Sequence, residues 1–300
     1  MPQPMLSVII LTLNEEANLP AALCSLRGLQ AEICVVDSGS TDRTLAIARA
    51  AGCRVFEHAF ESQAQQLNWT LATLPIGTQW VMRLDADERL TPELAQELAD
   101  RLPALPDNVT GLLIKRRVYF WGQWIRHGGY YPTWLLRIWR HGRAHCEQRW
   151  MDEHMIVNGG RTLRLDHDLI DENHKGLTFW TDKHNRYADR EVKDLLALRD
   201  RARSSGALDD QPGSRRWLKE NLYGRAPLFW RAFGYWFYRY VLRLGFLDGR
   251  PGLVFHFLQA FWYRFLVDAK LVERQGGRPR KLQLSATSSD HPASVAVHRP

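Results

Sequence analysis

The sequence lacks the features that mark a secreted or disulfide-stabilised protein. The cysteines Cys24, Cys34, Cys53 and Cys146 form no CxxC pair, so neither a disulfide framework nor a zinc site is expected. The N-terminus has no basic leader, and its apolar run has the length of a strand rather than of a signal peptide. No internal repeat is present. We therefore expect a cytoplasmic protein with reduced thiols.

The composition is that of a globular protein with a basic balance. Hydrophobic residues make up 45% and charged residues 24% of the 300 residues, enough for one large or two smaller domains. The net charge of +7 suits an anionic partner: nucleic acid, a phosphorylated ligand or a membrane rich in acidic lipid.

Strand and helix patterns alternate in the first hundred residues. Apolar runs predict strands at residues 7–13, 32–36, 54–57 and 80–84, and helical patterns follow them. Ser62 and Thr91 are expected helix N-caps, with Pro92 in the first turn of the second of these helices. This alternation predicts an α/β fold with a mostly parallel sheet flanked by helices.

Ligands of such sheets bind beyond the carboxyl ends of the strands, which selects three loops. The third contains Asp85-Ala86-Asp87. Two carboxylates around a small residue can hold Mg²⁺ or Mn²⁺ and leave coordination positions for diphosphate oxygens. A solvated loop is the alternative for this short motif, but its position after a buried strand favours a functional site.

The other two loops carry polar residues where apolar strands end. Asp37, in the segment DSGSTD, could accept hydrogen bonds from ribose hydroxyls or a base N–H. A turn with Thr41 or Asp42 as helix cap is the alternative, but a turn alone does not require an acid at position 37. The segment TLNEE at residues 12–16 is compatible with ligand contacts or with ordinary capping of a helix.

In this order and spacing, the three loops resemble those of family 2 glycosyltransferases with the GT-A fold. The matching segments are SVIILTLNEEANL, EICVVDSGSTDRT, NWTL and RLDADERL. WIRHGGYYPTWLLRIWRHGRAHCEQRWMDEH is similar to the acceptor side of the branch that builds lipopolysaccharide core and exopolysaccharide. GFLDGRPGLVFHFLQAFWYRFLVDAKLVE resembles the C-terminal extension of that branch. The resemblance leaves out the last part of the chain, about 25 residues.

The resemblance implies a role for each matching residue. Asp87 would bind the divalent metal and the donor diphosphate more directly than Asp85. Glu153 would be the general base, with its neighbour Asp152 as the alternative. His174 would lie near the diphosphate. The residues that would line the nucleotide pocket are Thr12, Asn14, Glu15 and Asp37.

Two further positions are open at this stage. Tyr130 and Tyr131 could shape an acceptor loop by stacking on sugar faces, or they could simply pack in an aromatic core. The family places a basic residue before its NWTL-type segment, whereas Gln65, Gln66 and Leu67 stand here. A charged contact from that helix to the diphosphate is therefore not expected.

The resemblance implies inverting transfer of a sugar from a nucleotide-diphosphate donor, with a UDP-sugar expected, to a cell-surface glycan or a lipid-linked acceptor. Negative charge builds on the leaving diphosphate, and a divalent cation neutralises it. The acceptor hydroxyl loses a proton as it attacks, which requires a carboxylate base. A single base without a covalent intermediate implies inversion at the anomeric carbon. The motifs specify neither the sugar nor the nucleobase.

Two other function classes fit less well. A nucleotidyltransferase that makes activated sugars would carry a glycine-rich basic loop after the first strand, where TLNEE stands instead. A nucleic-acid-binding protein would suit the positive charge, but the chain shows no nucleic-acid motif, and its C-terminal basic residues are interleaved with Trp and Phe. Nucleic acid is therefore not an expected partner.

The expected organisation is a catalytic domain at 1–203, divided into a nucleotide part at 1–110 and an acceptor part at 111–203. A helical extension at 204–275 and a disordered tail at 276–300 follow. The stretch 217–273 is rich in aromatics, but Arg231, Arg239 and Arg243 interrupt it. An arginine at mid-bilayer costs at least roughly 2.5–3.5 kcal/mol, so spanning is not expected.

The same aromatic and basic mixture suits a helix that lies on the inner face of the cytoplasmic membrane, with arginines meeting anionic lipid. Packing of these helices on the catalytic domain or on a second copy of the chain is the alternative. The sequence does not settle the oligomeric state.

Overall fold

The computed structural model describes residues 4–147, 154–205 and 226–276. In these residues a nine-stranded mixed sheet is flanked by helices, and a helical C-terminal region follows. The first part contains β1 Leu6–Thr12, α1 Leu19–Ser25, β2 Ala31–Asp37, α2 Thr44–Ala50, β3 Arg54–Glu57, α3 Gln63–Thr73, β4 Trp80–Arg83, β5 Glu88–Leu90 and α4 Pro92–Arg101. The second part contains β6 Val109–Phe120, β7 Gln123–Trp124, β8 Thr133–Arg140, β9 Ala144–Cys146, β10 Met155–Val157, β11 Arg161–Glu172 and α5 Gly176–Ser205.

The first four strands of the sheet order are parallel, as the strand–helix alternation predicts. They run in the order β3-β2-β1-β4, all paired in parallel. Thr12 at the end of β1 lies opposite Asp37 at the end of β2. Alternate residues of β1 enter two cores, with Val8 and Ile10 on one face and Ile9 on the other. Burial of both faces explains the unbroken apolar runs in the sequence.

The other half of the sheet makes the whole sheet mixed. β8 pairs antiparallel with both β4 and β6, whereas β6 and β11 are parallel. The short strand β5 pairs antiparallel with β11, and Asp171 lies opposite Glu88. This pairing brings the end of β11 beside the loop that contains Asp85 and Asp87.

The predicted helix caps are confirmed. The Ser62 side chain accepts a hydrogen bond from the Gln65 amide at 3.1 Å, and Thr91 accepts one from the Leu94 amide at 3.2 Å. The helix expected from Thr41 onwards begins only at Thr44. The Asp42 carboxylate accepts a hydrogen bond from the Thr44 amide at 2.9 Å and so belongs to the preceding turn.

The C-terminal region contains three further α-helices in the described residues: α6 Trp230–Phe237, α7 Gly249–His256 and α8 Tyr263–Arg274. A π-helical turn, Tyr238–Leu242, continues α6, and another, Phe257–Trp262, joins α7 to α8. We call residues 226–276 the extension. The charged amphipathic helix expected at 181–203 is confirmed as α5, which runs two residues past the proposed boundary at 203.

Helix α5 packs on the extension. Ala188 and Val192 of α5 form a buried cluster with Tyr263, Val267 and Leu271 of α8. Residues 206–225 and the expected tail beyond Gly276 lie outside the described residues. Within the described residues, no helix combines the length and the apolar character needed to cross a bilayer.

Candidate functional site

The first feature of the carboxyl edge is the loop that Asp37 organises. Its buried carboxylate accepts hydrogen bonds from the Gly39 amide at 2.9 Å and the Ser40 amide at 2.7 Å. It also accepts from the Ser40 hydroxyl at 2.5 Å and from the Thr12 hydroxyl at 2.8 Å. The expectation that this turn does not require an acid is therefore wrong, because the carboxylate saturates the turn's own donors. Thr12 and Asp37 are brought together, and their contact with a nucleotide stays a prediction.

The loop after β1 is fixed against the loop after β2. Asn14 has a left-handed backbone with φ of 54°, and its side-chain oxygen accepts a hydrogen bond from the Thr41 amide at 2.8 Å. The Glu15 amide donates to the Thr44 hydroxyl at 2.7 Å. Because Asn tolerates the left-handed region better than most residues, Asn14 is suited to this sharp departure from the strand.

The Glu15 side chain contacts the segment that follows β11 and not the loop after β2. Its Oε1 lies 2.6 Å from Nζ of Lys175, and its Oε2 accepts a hydrogen bond from the Asn18 amide group at 2.8 Å. Burial raises the pKa of Glu15, although Lys175 and Asn18 oppose this shift. The pair links the first loop to the segment that follows β11.

Asp85 lies between two arginines. Its carboxylate accepts hydrogen bonds from Arg83 Nε at 3.0 Å and from Arg137 Nη2 at 3.0 Å. Arg137 also forms a buried ion pair with Glu88, whose side chain accepts from the Asp85 amide at 3.0 Å. Burial favours the neutral acid, but Arg137 and Arg83 together hold the pKa of Asp85 well below its usual range. The carboxylate is therefore a charged anchor of the loop.

Asp87 has different surroundings. Its Oδ2 accepts a hydrogen bond from the Asn173 side chain at 3.0 Å and lies 3.7 Å from Nζ of Lys183. Its backbone carbonyl accepts from the Glu172 amide at 2.9 Å. Asp87 therefore has one neutral hydrogen-bond partner and one more distant ammonium group, whereas Asp85 is bound by two arginines at 3.0 Å.

The end of β11 ties the loops after β1 and β4 together. The His174 amide donates to the Asn18 side chain at 2.8 Å, Asn173 binds Asp87, and Lys175 binds Glu15. The His174 ring is half-exposed, with Nε2 3.9 Å from Glu172 Oε2. The structure therefore places His174 at the same edge as the Asp85–Asp87 loop, and its position near a diphosphate stays a prediction.

Sequence reasoning missed several residues of this edge. For Asn173 and Lys175 a signal was present, because both lie in the polar segment Glu172-Asn173-His174-Lys175 at the end of a long strand, where ligands of α/β sheets bind. The arginines gave no such signal because Arg83 and Arg137 lie within strands β4 and β8. The missed residues are Arg83, Glu88, Arg137, Asn173, Lys175 and Lys183.

The two tyrosines occupy different places. Tyr130 packs edge-on against Phe255 at 5.0 Å between ring centroids, and the Arg239 guanidinium lies 4.1 Å from its ring centroid. Tyr131 donates its hydroxyl proton to Asp168 at 3.0 Å and meets Trp124 edge-on at 5.0 Å. These contacts favour packing for Tyr130, which joins the sheet to the extension. An acceptor contact stays a prediction for both.

The predicted base, Glu153, and its alternative Asp152 lie outside the described residues. Helix α3 presents amides to the edge, since Gln66 Nε2 donates to the Ser38 hydroxyl at 2.6 Å.

A divalent ion at this edge would be held largely by phosphate oxygens of a bound substrate, with few side chains of the protein. Among residues 4–147, 154–205 and 226–276, no group of three or more His, Cys, Asp or Glu side chains could hold a metal ion. Asp87 supplies hard carboxylate oxygens, the donors that Mg²⁺ and Mn²⁺ prefer. One carboxylate suits Mg²⁺, which commonly takes one or two protein carboxylates together with substrate phosphates.

Similarity to known proteins identifies the family. The sequence matches the model of glycosyl transferase family 2 over residues 7–168, a range that runs from β1 into β11 and includes all three loops. The chain is 32% identical to the lipopolysaccharide core biosynthesis glycosyltransferase LpsC of Rhizobium meliloti, over 57% of this chain and 69% of LpsC. It is 36% identical to an uncharacterized glycosyltransferase of Rickettsia typhi over 31% of each protein.

A solved structure with a detectable likeness is glucosyl-3-phosphoglycerate synthase from Mycobacterium tuberculosis in complex with Mn²⁺, UDP and glucosyl-3-phosphoglycerate. The identity is 26%, the TM-score is 0.32, and the match covers 39% of this chain and 44% of the synthase. The family match spans more than half of the 300 residues and includes the loops after β1, β2 and β4, and it ends before the polar segment at the end of β11. The chain belongs to glycosyl transferase family 2 and is a glycosyltransferase.

Proposed function

We propose that this chain transfers a sugar from a nucleotide-diphosphate donor, with UDP as the expected nucleotide, to a cell-surface glycan or lipid-linked acceptor. The observation that carries the proposal is the convergence of four polar segments at one sheet edge. Direct hydrogen bonds join the loop after β2 to the loop after β1, and they join the segments after β1 and β4 to the end of β11. Such an edge is where α/β sheets bind nucleotides.

We assign different roles to the polar segments of this edge. The loops of Asn14 and Asp37 are fixed in shape by their own hydrogen bonds and form the wall for the nucleoside. Asp87 would hold the divalent ion with the donor diphosphate, while Asp85, between its arginines, keeps the loop in place. A bound Mg²⁺ or Mn²⁺ supplies positive charge that stabilises the leaving diphosphate.

We assign the general base to Glu153, on the strength of the sequence pattern. The acceptor hydroxyl gives its proton to this carboxylate as its oxygen attacks the anomeric carbon, and the bond to the diphosphate breaks with inversion. Similarity to LpsC, named for lipopolysaccharide core biosynthesis, supports an acceptor of the cell-surface glycan class.

The Glu153→Gln variant tests this assignment, because glutamine keeps the size of the side chain and removes its basicity. We expect transfer to fall by two to four orders of magnitude, about the contribution of a positioned base. Donor binding should remain near the wild-type value. Asp152→Asn is the matched control. If Asp152→Asn is inactive and Glu153→Gln transfers normally, the base is the neighbouring residue.

The extension also supports a membrane-bound acceptor. One side of it packs on the sheet: the Gln123 side chain donates to the Asp248 carbonyl at 2.6 Å, and Phe120 contacts Phe255 at 5.6 Å between ring centroids. Asp248, which is buried, accepts hydrogen bonds from both the amide and the ring of His127. The alternative of packing on the catalytic domain is therefore confirmed for this side.

The other side of the extension remains exposed and apolar. Its large exposed side chains, which we call the apolar face, are Trp230, Phe233, Phe237, Tyr238, Leu242, Leu244, Phe246, Leu247, Leu253, Phe257 and Phe265. Exposed patches of this kind mark interaction sites. Arg243 and Arg250, which interrupt the face in sequence, are exposed. Aromatic and basic residues together favour an anionic membrane surface.

One expectation about the arginines is wrong. Arg231 does not meet lipid, because it is buried in an ion pair with Asp268 inside the extension. Arg239 is also turned inwards and donates to the Gly128 carbonyl at 2.6 Å. We propose that the apolar face, with Arg243 and Arg250, docks on the inner face of the cytoplasmic membrane.

A further inference from the structure

The charges around Asp87 are unequally distributed. Asp85 is neutralised by Arg83 and Arg137, and Asp171 lies 3.2 Å from Arg116. Arginine forks hold carboxylates in a fixed geometry. Asp87 is paired instead with the single ammonium group of Lys183, on the second turn of α5.

Lys183 is held more loosely than the neighbouring Lys175. The Lys175 ammonium lies 2.6 Å from Glu15, and its side chain is 11% exposed. The Lys183 ammonium lies 3.7 Å from Asp87 Oδ2, beyond hydrogen-bonding distance, and its side chain is 32% exposed. A lysine in this position is a mobile point charge that can turn from a carboxylate to another anion.

Helix α3 supplies no such charge, because it contains neither lysine nor arginine. Its Gln66 side chain donates a hydrogen bond to the Ser38 hydroxyl. A nucleoside diphosphate at this edge would bring more negative charge to a loop that already contains Asp85 and Asp87. We propose that Lys183 binds the diphosphate of the donor and supplies the positive charge that α3 lacks.

This inference rests on the proposed function. Lys183 would leave Asp87 when that carboxylate takes up a divalent ion, because two cations then compete for one carboxylate. The released ammonium can bind a phosphate oxygen and stabilise the diphosphate as its bond to the sugar breaks. The only alternative role that the contacts suggest is a structural ion pair with Asp87.

Calorimetric titration of the full chain separates these roles. UDP, GDP, CDP and dTDP are titrated in Mg²⁺ and in EDTA, together with the corresponding nucleosides. Lys183→Gln is compared with wild type, with Lys183→Arg, and with Lys193→Gln, a change of an exposed lysine on the same helix. Thermal unfolding of each variant reports any structural effect.

We expect Lys183→Gln to weaken the nucleoside diphosphate that wild type binds by about tenfold or more in Mg²⁺, the loss of one charge-assisted hydrogen bond. Nucleoside binding should not change, Lys183→Arg should restore most of the affinity, and Lys193→Gln should match wild type. Equal diphosphate affinity in Lys183→Gln and wild type would overturn the inference alone. Failure of wild type to bind any of the four diphosphates would overturn the proposed function with it.

Discussion

Asp85 and Asp87 are two positions apart and have opposite surroundings. Asp85 forms ion pairs with two arginines, so its negative charge is already neutralised within the protein. Asp87 accepts a hydrogen bond from an amide group and lies 3.7 Å from the Lys183 ammonium. We therefore expect identical side chains in one short motif to have different roles, Asp85 in holding the loop and Asp87 in binding the ligand.

This difference predicts separate effects of two substitutions. Asp87→Asn should lower turnover by orders of magnitude without a change in the free energy of unfolding, since the side-chain oxygen of asparagine can still accept the hydrogen bond from Asn173. Asp85→Asn should lower the free energy of unfolding by about 2 kcal/mol, because Arg83 and Arg137 lose a charged partner. Steady-state transfer and urea unfolding measure the two effects, with Asp107→Asn, at a fully exposed acid, as control. Near-wild-type transfer by Asp87→Asn would contradict the assignment.

At the scale of elements, sequence periodicity could predict the parallel strands, the caps at Ser62 and Thr91, and helix α5. It could also predict three of the four segments at the site, because each follows a buried apolar strand. It gives only a weak signal for the end of β11, because that strand is rich in polar residues and only three of its twelve residues are buried. Nor could it predict the contact of Arg137 with Asp85, since the two residues are 52 positions apart in the chain.

Contact between α5 and α8 makes one histidine a test of the packing. The His184 ring stacks on Trp180 at 3.5 Å between ring centroids and meets Tyr263 of α8 edge-on at 5.6 Å. Burial among these rings lowers the pKa of His184 to about 4. The unfolded chain binds a proton at this residue near pH 6.5, whereas the folded protein does so only near pH 4. Stability should therefore decrease as the pH falls through this window.

His184→Phe keeps the aromatic packing and removes the proton site. Between pH 7 and pH 4, we expect wild type to lose on the order of 2–3 kcal/mol more unfolding free energy than this variant. Urea unfolding at a series of pH values measures the difference, and His141→Phe, at an exposed histidine, should follow wild type. Parallel curves for wild type and His184→Phe would contradict the burial of this ring.

For the whole molecule, the proposed docking of the extension would hold the catalytic sheet at the membrane surface. The inner side of the extension is fixed to the sheet by Asp248 and Phe255, and its outer side carries the apolar face. Docking of this face would hold the sheet at a defined distance from lipid-linked acceptors. A second copy of the chain could cover the same face, and solution mass distinguishes this arrangement.

Co-sedimentation with vesicles tests the docking. The full chain should bind anionic vesicles at low salt and less at high salt, because exposed arginines contribute on the order of 1 kcal/mol each near anionic lipid. Leu242→Asp with Leu247→Asp should weaken binding at least tenfold, whereas Ile156→Ser, at an exposed apolar residue outside the extension, should not. A folded full-length protein that ignores anionic vesicles at low salt would refute the docking and leave the catalytic assignment untouched.

The measurement that tests the central claim most directly is the release of nucleoside diphosphate from a panel of nucleotide sugars. The purified enzyme is supplied with a bacterial lipid-linked glycan extract as acceptor and with Mg²⁺ or Mn²⁺. We predict that one class of donor, with a UDP-sugar expected, yields free nucleoside diphosphate together with a labelled glycan. Release should stop in EDTA and resume when the metal is restored. Absence of release from every donor by a folded, metal-supplied enzyme would contradict the proposed transfer, and full activity in EDTA would contradict its metal dependence.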